Sequence, residues 1–236
     1  MTFSLLGYDK DTGSVGICSL TATPAHGMRC PHFLKDVGVV TTQGMTNACH
    51  GVTCIDLLSS GFAPSEALQQ SMIGDKNIEC RQIAIVNCRG RMAAFTGGET
   101  RDVKGHIVSD SCVAAGNILF SEEVLPAMVD GFYSTKGELA DRLLAGCEAG
   151  ERKGGEVGGA HSGFIIVIRP DQISGWGRAY IELRNDYSSS IISSLRESLL
   201  QYRRWASERL DNRRYSLDDE PPANQLRLAA YPDISA

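Results

Sequence analysis

The sequence predicts an α+β fold, and three observations carry that reading. Apolar runs of strand length stand at the start, middle and end of the chain, helical patterns come in two pairs between them, and glycine-bearing turns join neighbouring strands into hairpins. The hairpins make the sheets largely antiparallel. Two such sheets stacked face to face with helices outside, a four-layer αββα sandwich, account for this order, although the order of elements alone is equally compatible with another α+β arrangement.

Taken in order, Phe3 to Tyr8 and Ser14 to Ala22 flank the polar turn Asp9-Lys10-Asp11-Thr12-Gly13 and read as the first hairpin. Thr23 to Asp36, broken by Pro24, Gly27 and Pro31, reads as a loop. Val37 to Gln43 carries no charge, as a strand buried on both faces does. Gly51 to Ser60 sets Val52, Ile55 and Leu58 at near-helical spacing and stops at Gly61. A second helix opens at Pro64, a first-turn residue, and carries Ala67, Leu68 and Met72. Cys80 to Asn87 and Arg91 to Phe95 form a second hairpin around Gly90.

Val108 to Ala115 reads as one strand ending at Gly116-Asn117. Ser121 then caps a helix to about Asp130, with Glu122 and Glu123 in a first turn where the helix dipole favours acids. Lys136 to Glu148 is amphipathic, with Leu139, Leu143 and Cys147 on one face. The glycine-dense stretch from Gly154 to Gly159 lacks phosphate-loop spacing and leads into a strand, so it reads as a flexible rim. Phe164 to Ile168 pairs with Trp176 to Leu183, and Ser190 to Leu210 is a long helix. Residues 1–210 form one domain, and 211–236, with Pro221 and Pro222, form a tail that is flexible or packed on a partner subunit.

Composition narrows the function classes. The chain has 236 residues, 42% hydrophobic and 22% charged, and a formal net charge of −5, which leaves no basic stripe for nucleic acid. Its longest apolar run, Phe164 to Ile168, is far short of the roughly 18 residues that span a membrane. No basic flank precedes the short apolar start, so no secretory signal is expected and the chain is placed in the cytoplasm. Eight cysteines are scattered without a CxxC pair, as small buried residues in a reducing compartment. Cys30, His32, Cys49, His50 and Cys54 cluster in sequence, but their spacing fits no zinc pattern, so no metal and no cofactor are expected. His26, His32, His50 and His106 read as solvated or capping histidines. The long helix carries Leu195, Leu199, Leu200, Tyr202 and Trp205, more apolar surface than one solvent-facing helix needs, and this predicts a homo-oligomer.

The chemical clue stands at the beginning. Loss of Met1, routine when the next side chain is small, leaves Thr2 with a free α-amine and a hydroxyl on one residue, which unites nucleophile and base. Read without that chemistry, Thr2 is the β-branched first residue of a strand.

Met1-Thr2-Phe3-Ser4, Gly38-Val39-Val40-Thr41-Thr42-Gln43, Leu57-Leu58-Ser59-Ser60-Gly61 with Glu66-Ala67-Leu68, Ala94-Phe95-Thr96-Gly97 and Ala115-Gly116-Asn117-Ile118-Leu119 together resemble the DUF1028 family. The resemblance lies in order and spacing from Met1 to about Arg196. It implies the N-terminal nucleophile hydrolase fold, the αββα sandwich of amide hydrolases. It also places Thr2, Thr42, Gln43, Gly116 and Asn117 at positions that line a site. Where the family shows Gly-Gly-Asp, an Arg and then Gln-Ser, this chain has Gly154-Gly155-Glu156, Gly158 and His161-Ser162, so the basic residue is absent and His161 takes a substrate-facing place. Where the family commonly has a valine, two aspartates and a histidine, this chain has Asn185-Asp186-Tyr187-Ser188.

The chemistry so implied has Thr2 as nucleophile and its amine as base, with Asn117 and the amides of Gly116 and Asn117 stabilising the oxyanion. Thr42 and Gln43 orient a small-molecule substrate whose amide, lactam or imide C–N bond is hydrolysed. The alternative is a non-catalytic protein of the same fold that binds a small ligand or scaffolds an oligomer. A substrate screen against a Thr2 variant separates the two.

Overall fold

The computed structural model describes residues 1–171 and 178–211, with side chains described up to 207. Alternating apolar residues punctuated by turns give the strands β1 (Thr2–Tyr8), β2 (Val15–Thr21), β3 (Pro31–Leu34) and β4 (Gly38–Gly44). The helices α1 (Ala48–Ser59) and α2 (Pro64–Met72) follow, then β5 (Arg81–Asn87), β6 (Met92–Thr96), β7 (Gly105–Val108) and β8 (Cys112–Asn117). The chain continues through α3 (Val124–Ser134), α4 (Leu139–Arg152), β9 (Ser162–Ile168), β10 (Ile181–Asn185) and α5 (Ile191–Asp211).

Six strands form one sheet in the order β10-β9-β2-β1-β8-β7 and four form a second in the order β3-β4-β5-β6. Every pairing among them is antiparallel. The sheets stack on each other, α1 and α2 cover the outer face of the smaller one, and α3 and α4 cover the outer face of the larger. The architecture is a four-layer αββα sandwich.

Apolar layers between each sheet and its helices and between the two sheets hold it. Val40, Ile83 and Ile85 bury against Cys54, Ile55, Leu58, Ala67 and Leu68 beneath the first helix pair. Between the sheets, Leu6, Val15, Ile17, Val39, Val86, Val113, Phe164 and Ile166 pack together. Each such valine, leucine, isoleucine or phenylalanine side chain contributes roughly 1.5–3 kcal/mol by leaving water. The helix α1 reaches the smaller sheet because Gly51 has no side chain: a Cβ there would stand 1.9 Å from Cδ2 of His32.

Several boundaries differ from the sequence reading. The supposed loop from Thr23 to Asp36 contains β3, an edge strand that tolerates Pro31 because its first residue needs no ladder donor. Val108 to Ala115 is not one strand. It is a hairpin, β7 and β8, closed where the Ser109 amide bonds to the Cys112 carbonyl at 2.9 Å. The helix α1 starts three residues early because the Asn47 side chain accepts from the Cys49 amide at 3.1 Å and caps it. Ser121 caps nothing: its hydroxyl donates toward the Lys153 carbonyl at 3.5 Å, and α3 begins after Glu123. Trp176, assigned to the last strand, and the tail beyond Asp211 lie outside the described residues.

The described chain divides into two units after Arg196, inside α5. In the first, Leu195 is buried over Gly163 of β9. In the second, Leu199 is buried, Leu200 and Trp205 are exposed, and the Tyr202 and Trp205 rings lie 6.0 Å apart. Two of the leucines invoked for an oligomer are therefore already buried within the chain. No helix among the described residues is long and apolar enough to cross a membrane.

Candidate functional site

Side chains alternate along a strand, so the residues that share a face with the inter-sheet core can be followed to where it ends. Beyond Leu6 on β1 come Ser4 and Thr2, and beyond Ile17 on β2 come Ser19 and Thr21. Beyond Val39 come Thr41 and Gln43, before Ala84 comes Gln82, beyond Ala94 comes Thr96, and beyond Ala115 comes Asn117. The antiparallel registers bring all these polar ends to one side. Half of the space between the sheets is hydrocarbon and the other half is a hydrogen-bonded seam.

The seam is continuous. His26 Nε2 meets Ser19 Oγ at 2.6 Å, Ser19 Oγ meets Ser4 Oγ at 2.6 Å, and the Ser4 hydroxyl donates to Gln43 Oε1 at 2.6 Å. Gln43 Nε2 donates to Gln82 Oε1 at 2.7 Å, and Asn117 Nδ2 donates to the same oxygen at 2.9 Å. Gln82 Nε2 faces three acceptors, Thr96 Oγ1, the Gly105 carbonyl and the Gly116 carbonyl, each at 2.9 Å. Because Ser4 donates to Gln43, it accepts from Ser19, and Ser19 in turn accepts from a neutral His26 carrying its proton on Nε2. All six residues of this chain are fully or almost fully buried.

His26 is thus a seam residue and not a solvated loop histidine. It is 1% exposed, and its ring lies 5.1 Å from that of Phe164. Burial above all, with Arg29 and the chain amine adding to it, holds its pKa down to about 3 from 6.5. The unfolded chain protonates this histidine near 6.5 and the folded one only near 3, so stability is full above the first value and lost as pH falls toward the second. The contribution has a slope of up to about 1.4 kcal/mol per pH unit. Denaturant titrations at pH 7, 5.5 and 4 are expected to show a shallower pH dependence in His26→Gln than in the wild type. Parallel dependences would count against the assignment.

Thr2 opens β1 at the seam's edge, 6% exposed and directly opposite Asn117, hence about 5 Å away between Cα atoms. Its hydroxyl donates to the Met1 carbonyl and lies 3.4 Å from Thr21 Oγ1, which itself donates to the Met1 carbonyl at 2.5 Å. Burial lowers the pKa of the Met1 amine, and Glu156 opposes that shift. In front of Met1 lies a cavity of about 490 Å³, lined by Met1, Asn117, Ile118, Arg101, Glu99 and Cys80 among others.

The stretch expected to be a flexible rim is tied down. Phe120 N–H donates to the Gly155 carbonyl and Val157 N–H to the Ile118 carbonyl, both at 3.0 Å, around a bridge between Leu119 and Glu156. Within it, both Glu156 carboxyl oxygens are buried without a hydrogen-bond partner, as are Glu151 Oε2 and His161 Nδ1 nearby. Burial pushes the Glu156 carboxyl up to about 8, against the pull of the chain amine and the Ala22 amide.

The site residues inferred from sequence fall into three places. Thr2, Gln43, Gly116 and Asn117 converge on the seam, Gly116 through its carbonyl and Asn117 through its side chain. Thr42 shares the helix-facing side of β4 with Val40, opposite Gln43, and its hydroxyl is buried without a partner. His161 stands two strands from Thr2, its amide donating to the Thr21 carbonyl at 2.8 Å and its ring 5.6 Å from Tyr187. Gln82, Ser4, Ser19, His26 and Glu156 were not read as site residues. Gln43, Gln82 and Asn117 do share one signal, a polar residue in register with apolar inward positions.

The cysteine and histidine cluster does not converge. Cys49 is exposed, Cys54 packs under α2, and His50 sits between the Ser71 carbonyl at 2.8 Å and Asp75 at 2.7 Å. Among the described residues, no group of three or more His, Cys, Asp or Glu is arranged to hold a metal.

The model of a family described as "Family of unknown function (DUF1028)" matches residues 2–195. Among solved structures, the chain is similar to the crystal structure of protein SPO2555 from Silicibacter pomeroyi, described with the same family. The TM-score is 0.77 at 30% identity, covering 85% of this chain and 88% of that one. No curated protein matches the chain.

Proposed function

Since the chain belongs to the DUF1028 family, a family of unknown function, its activity has to be read from the site, and we propose that it hydrolyses the C–N bond of a small amide, lactam or imide with Thr2 as an N-terminal nucleophile. One observation carries the reading. Met1 lines the cavity beside Asn117, and Thr2 lies buried immediately behind it. Loss of Met1 opens the cavity onto the Thr2 hydroxyl and a new α-amine, and frees Thr21 Oγ1 from the Met1 carbonyl.

In the proposed reaction the amine, directly or through water, takes the proton of the Thr2 hydroxyl as Oγ1 attacks the acyl carbon. Negative charge moves to the acyl oxygen. The Asn117 NH2 has one hydrogen engaged by Gln82 and a second available to that oxygen. The protonated amine then delivers its proton to the leaving nitrogen, and water hydrolyses the resulting ester. At the cavity wall Arg101 makes no side-chain hydrogen bond or ion pair among the described residues, which favours a substrate bearing a carboxylate.

The test is a screen of small amides, lactams and imides with protein whose intact mass shows Met1 removed, run beside Thr2→Ala. Turnover lost in the variant supports the reading. Turnover that survives it, or complete retention of Met1, overturns it. The proposal includes a cytoplasmic setting, in keeping with eight unpaired thiols. It also includes self-association through exposed Leu200 and Trp205. A monomer mass by light scattering at micromolar concentration would end the latter.

A further inference from the structure

The start of β1 is roofed by a buried carboxyl group that lacks a well-formed hydrogen bond. β1 runs between β2 and β8, so Thr2 has Thr21 on one side and Asn117 on the other. The 154–159 segment crosses that gap: it is anchored to Ile118, Leu119 and Phe120 just past β8. From there the Glu156 carboxyl reaches toward the amide of Ala22, just past β2. Glu156 is 1% exposed, and among the described residues neither of its oxygens makes a well-formed hydrogen bond, the Ala22 amide drawing on the carboxyl from outside good hydrogen-bond geometry. A buried carboxyl in this position stays neutral through its raised pKa and ionises when a cation is seated beside it. The Met1 ammonium acts on it through space without forming a contact ion pair.

We propose that Glu156 is the seat of the Thr2 α-amine once Met1 is gone, pairing with the ammonium at the start of β1, turning it toward the Thr2 hydroxyl and setting its proton affinity. Glu156 is then a positioning residue. The inference takes Met1 loss from the nucleophile reading, but it concerns the amine and needs no substrate. With Met1 in place, burial pushes the carboxyl up to about 8, the range of an ordinary α-amine, so a Thr2 amine seated beside it would share protons with it as a coupled pair. Charged or titratable groups acting on the pair include Glu151 of α4, Arg101 ahead of β7, Cys30 ahead of β3 and His26 in the turn 26–28, while His161 ahead of β9 acts on Glu151.

The experiment uses full-length protein lacking Met1, confirmed by intact mass, as wild type, Glu156→Gln and Glu156→Asp. The rate of labelling of the Thr2 amine by an amine-selective acylating reagent is followed from pH 5 to 10. A nearby carboxylate raises an amine's pKa. Glu156→Gln is therefore expected to lower the midpoint by about one unit, giving about tenfold more free amine at pH values below it, and Glu156→Asp to restore much of the shift. Superimposed curves overturn the inference, as does Met1 retained on the protein.

Should the glutamine variant not fold, 13C-carboxyl spectra of the wild type decide. One glutamate signal must titrate together with the amine, and its absence overturns the inference equally. A shift in a protein that hydrolyses nothing leaves this inference standing and defeats the hydrolase reading. Thr2-dependent turnover with superimposed curves does the reverse.

Discussion

Thr2→Ala is expected to abolish turnover of the substrate while leaving the fold intact, a loss of about ten-thousandfold or more by analogy with removal of other hydroxyl nucleophiles. The fold should survive because the Thr2 hydroxyl reaches only the Met1 carbonyl and Thr21, outside the hydrogen-bonded chain from His26 to Asn117. Asn117→Ala is expected to lower kcat by roughly a hundredfold or more if its side chain stabilises the oxyanion. The two variants differ in a second respect. Asn117 also bonds Gln82, so its removal destabilises the protein by about 1 kcal/mol where Thr2→Ala does not. Single-turnover measurements that trap an acyl adduct on Thr2 in wild type, and none in Thr2→Ala, would complete the case. An Asn117→Ala protein with unchanged kcat would confine that residue to a structural role.

Gln82→Leu is expected to produce the largest loss of stability of any single change in the seam. The side chain lies at 0% exposure and serves both sheets at once, accepting from Gln43 and Asn117 and donating toward Thr96, Gly105 and Gly116. Leucine is close in size, so the change removes the amide without opening a large cavity. It leaves two buried NH2 groups and at least one buried carbonyl unpaired, at about 1–3 kcal/mol apiece. A total of about 3 kcal/mol or more is expected, which lowers Tm by about 10 °C in a chain of this length. A change below about 1 kcal/mol in denaturant titration would mean that water replaces the amide, and that the seam is wetter than its burial indicates.

Much of the architecture was legible in the amino-acid order because local rules and tertiary demands agree there. The turn ending in Gly13 and the one around Gly90 sit where the hairpins close, and the uncharged run to Gln43 is a strand covered on both faces. Boundaries were lost where a side chain overrides periodicity, as Asn47 does at α1, or where an edge strand admits a proline, as β3 does at Pro31. In the candidate site, Thr2, Gln43 and Asn117 were singled out because resemblance and residue chemistry pointed the same way, and the structure brings them to one seam. Gln82 stood unremarked inside a hairpin strand, because its register with Ala84 and Val86 becomes a signal only once that face is known to be the inner one. His26 looked like a loop histidine, since its burial depends on Ser19 and on Phe164, a residue distant in sequence. Glu156 lay among glycines that suggested mobility. What immobilises it is a bridge to Leu119, 37 residues earlier.

The polar half of the inter-sheet layer also governs alignment. Two apolar faces can slide over one another with little penalty, since hydrophobic contact has no preferred direction. Amides can not. A shift of β4 against β5 by one position would turn either Gln43 or Gln82 toward the helices, among Val40 and Ile83, and strand its partner in hydrocarbon. The Ser4–Gln43 and Asn117–Gln82 bonds carry the same indexing from one sheet to the other. The seam therefore acts as a vernier for the sandwich: it holds the first residue of β1 at one fixed height opposite Asn117, and a nucleophile placed there needs no loop to aim it.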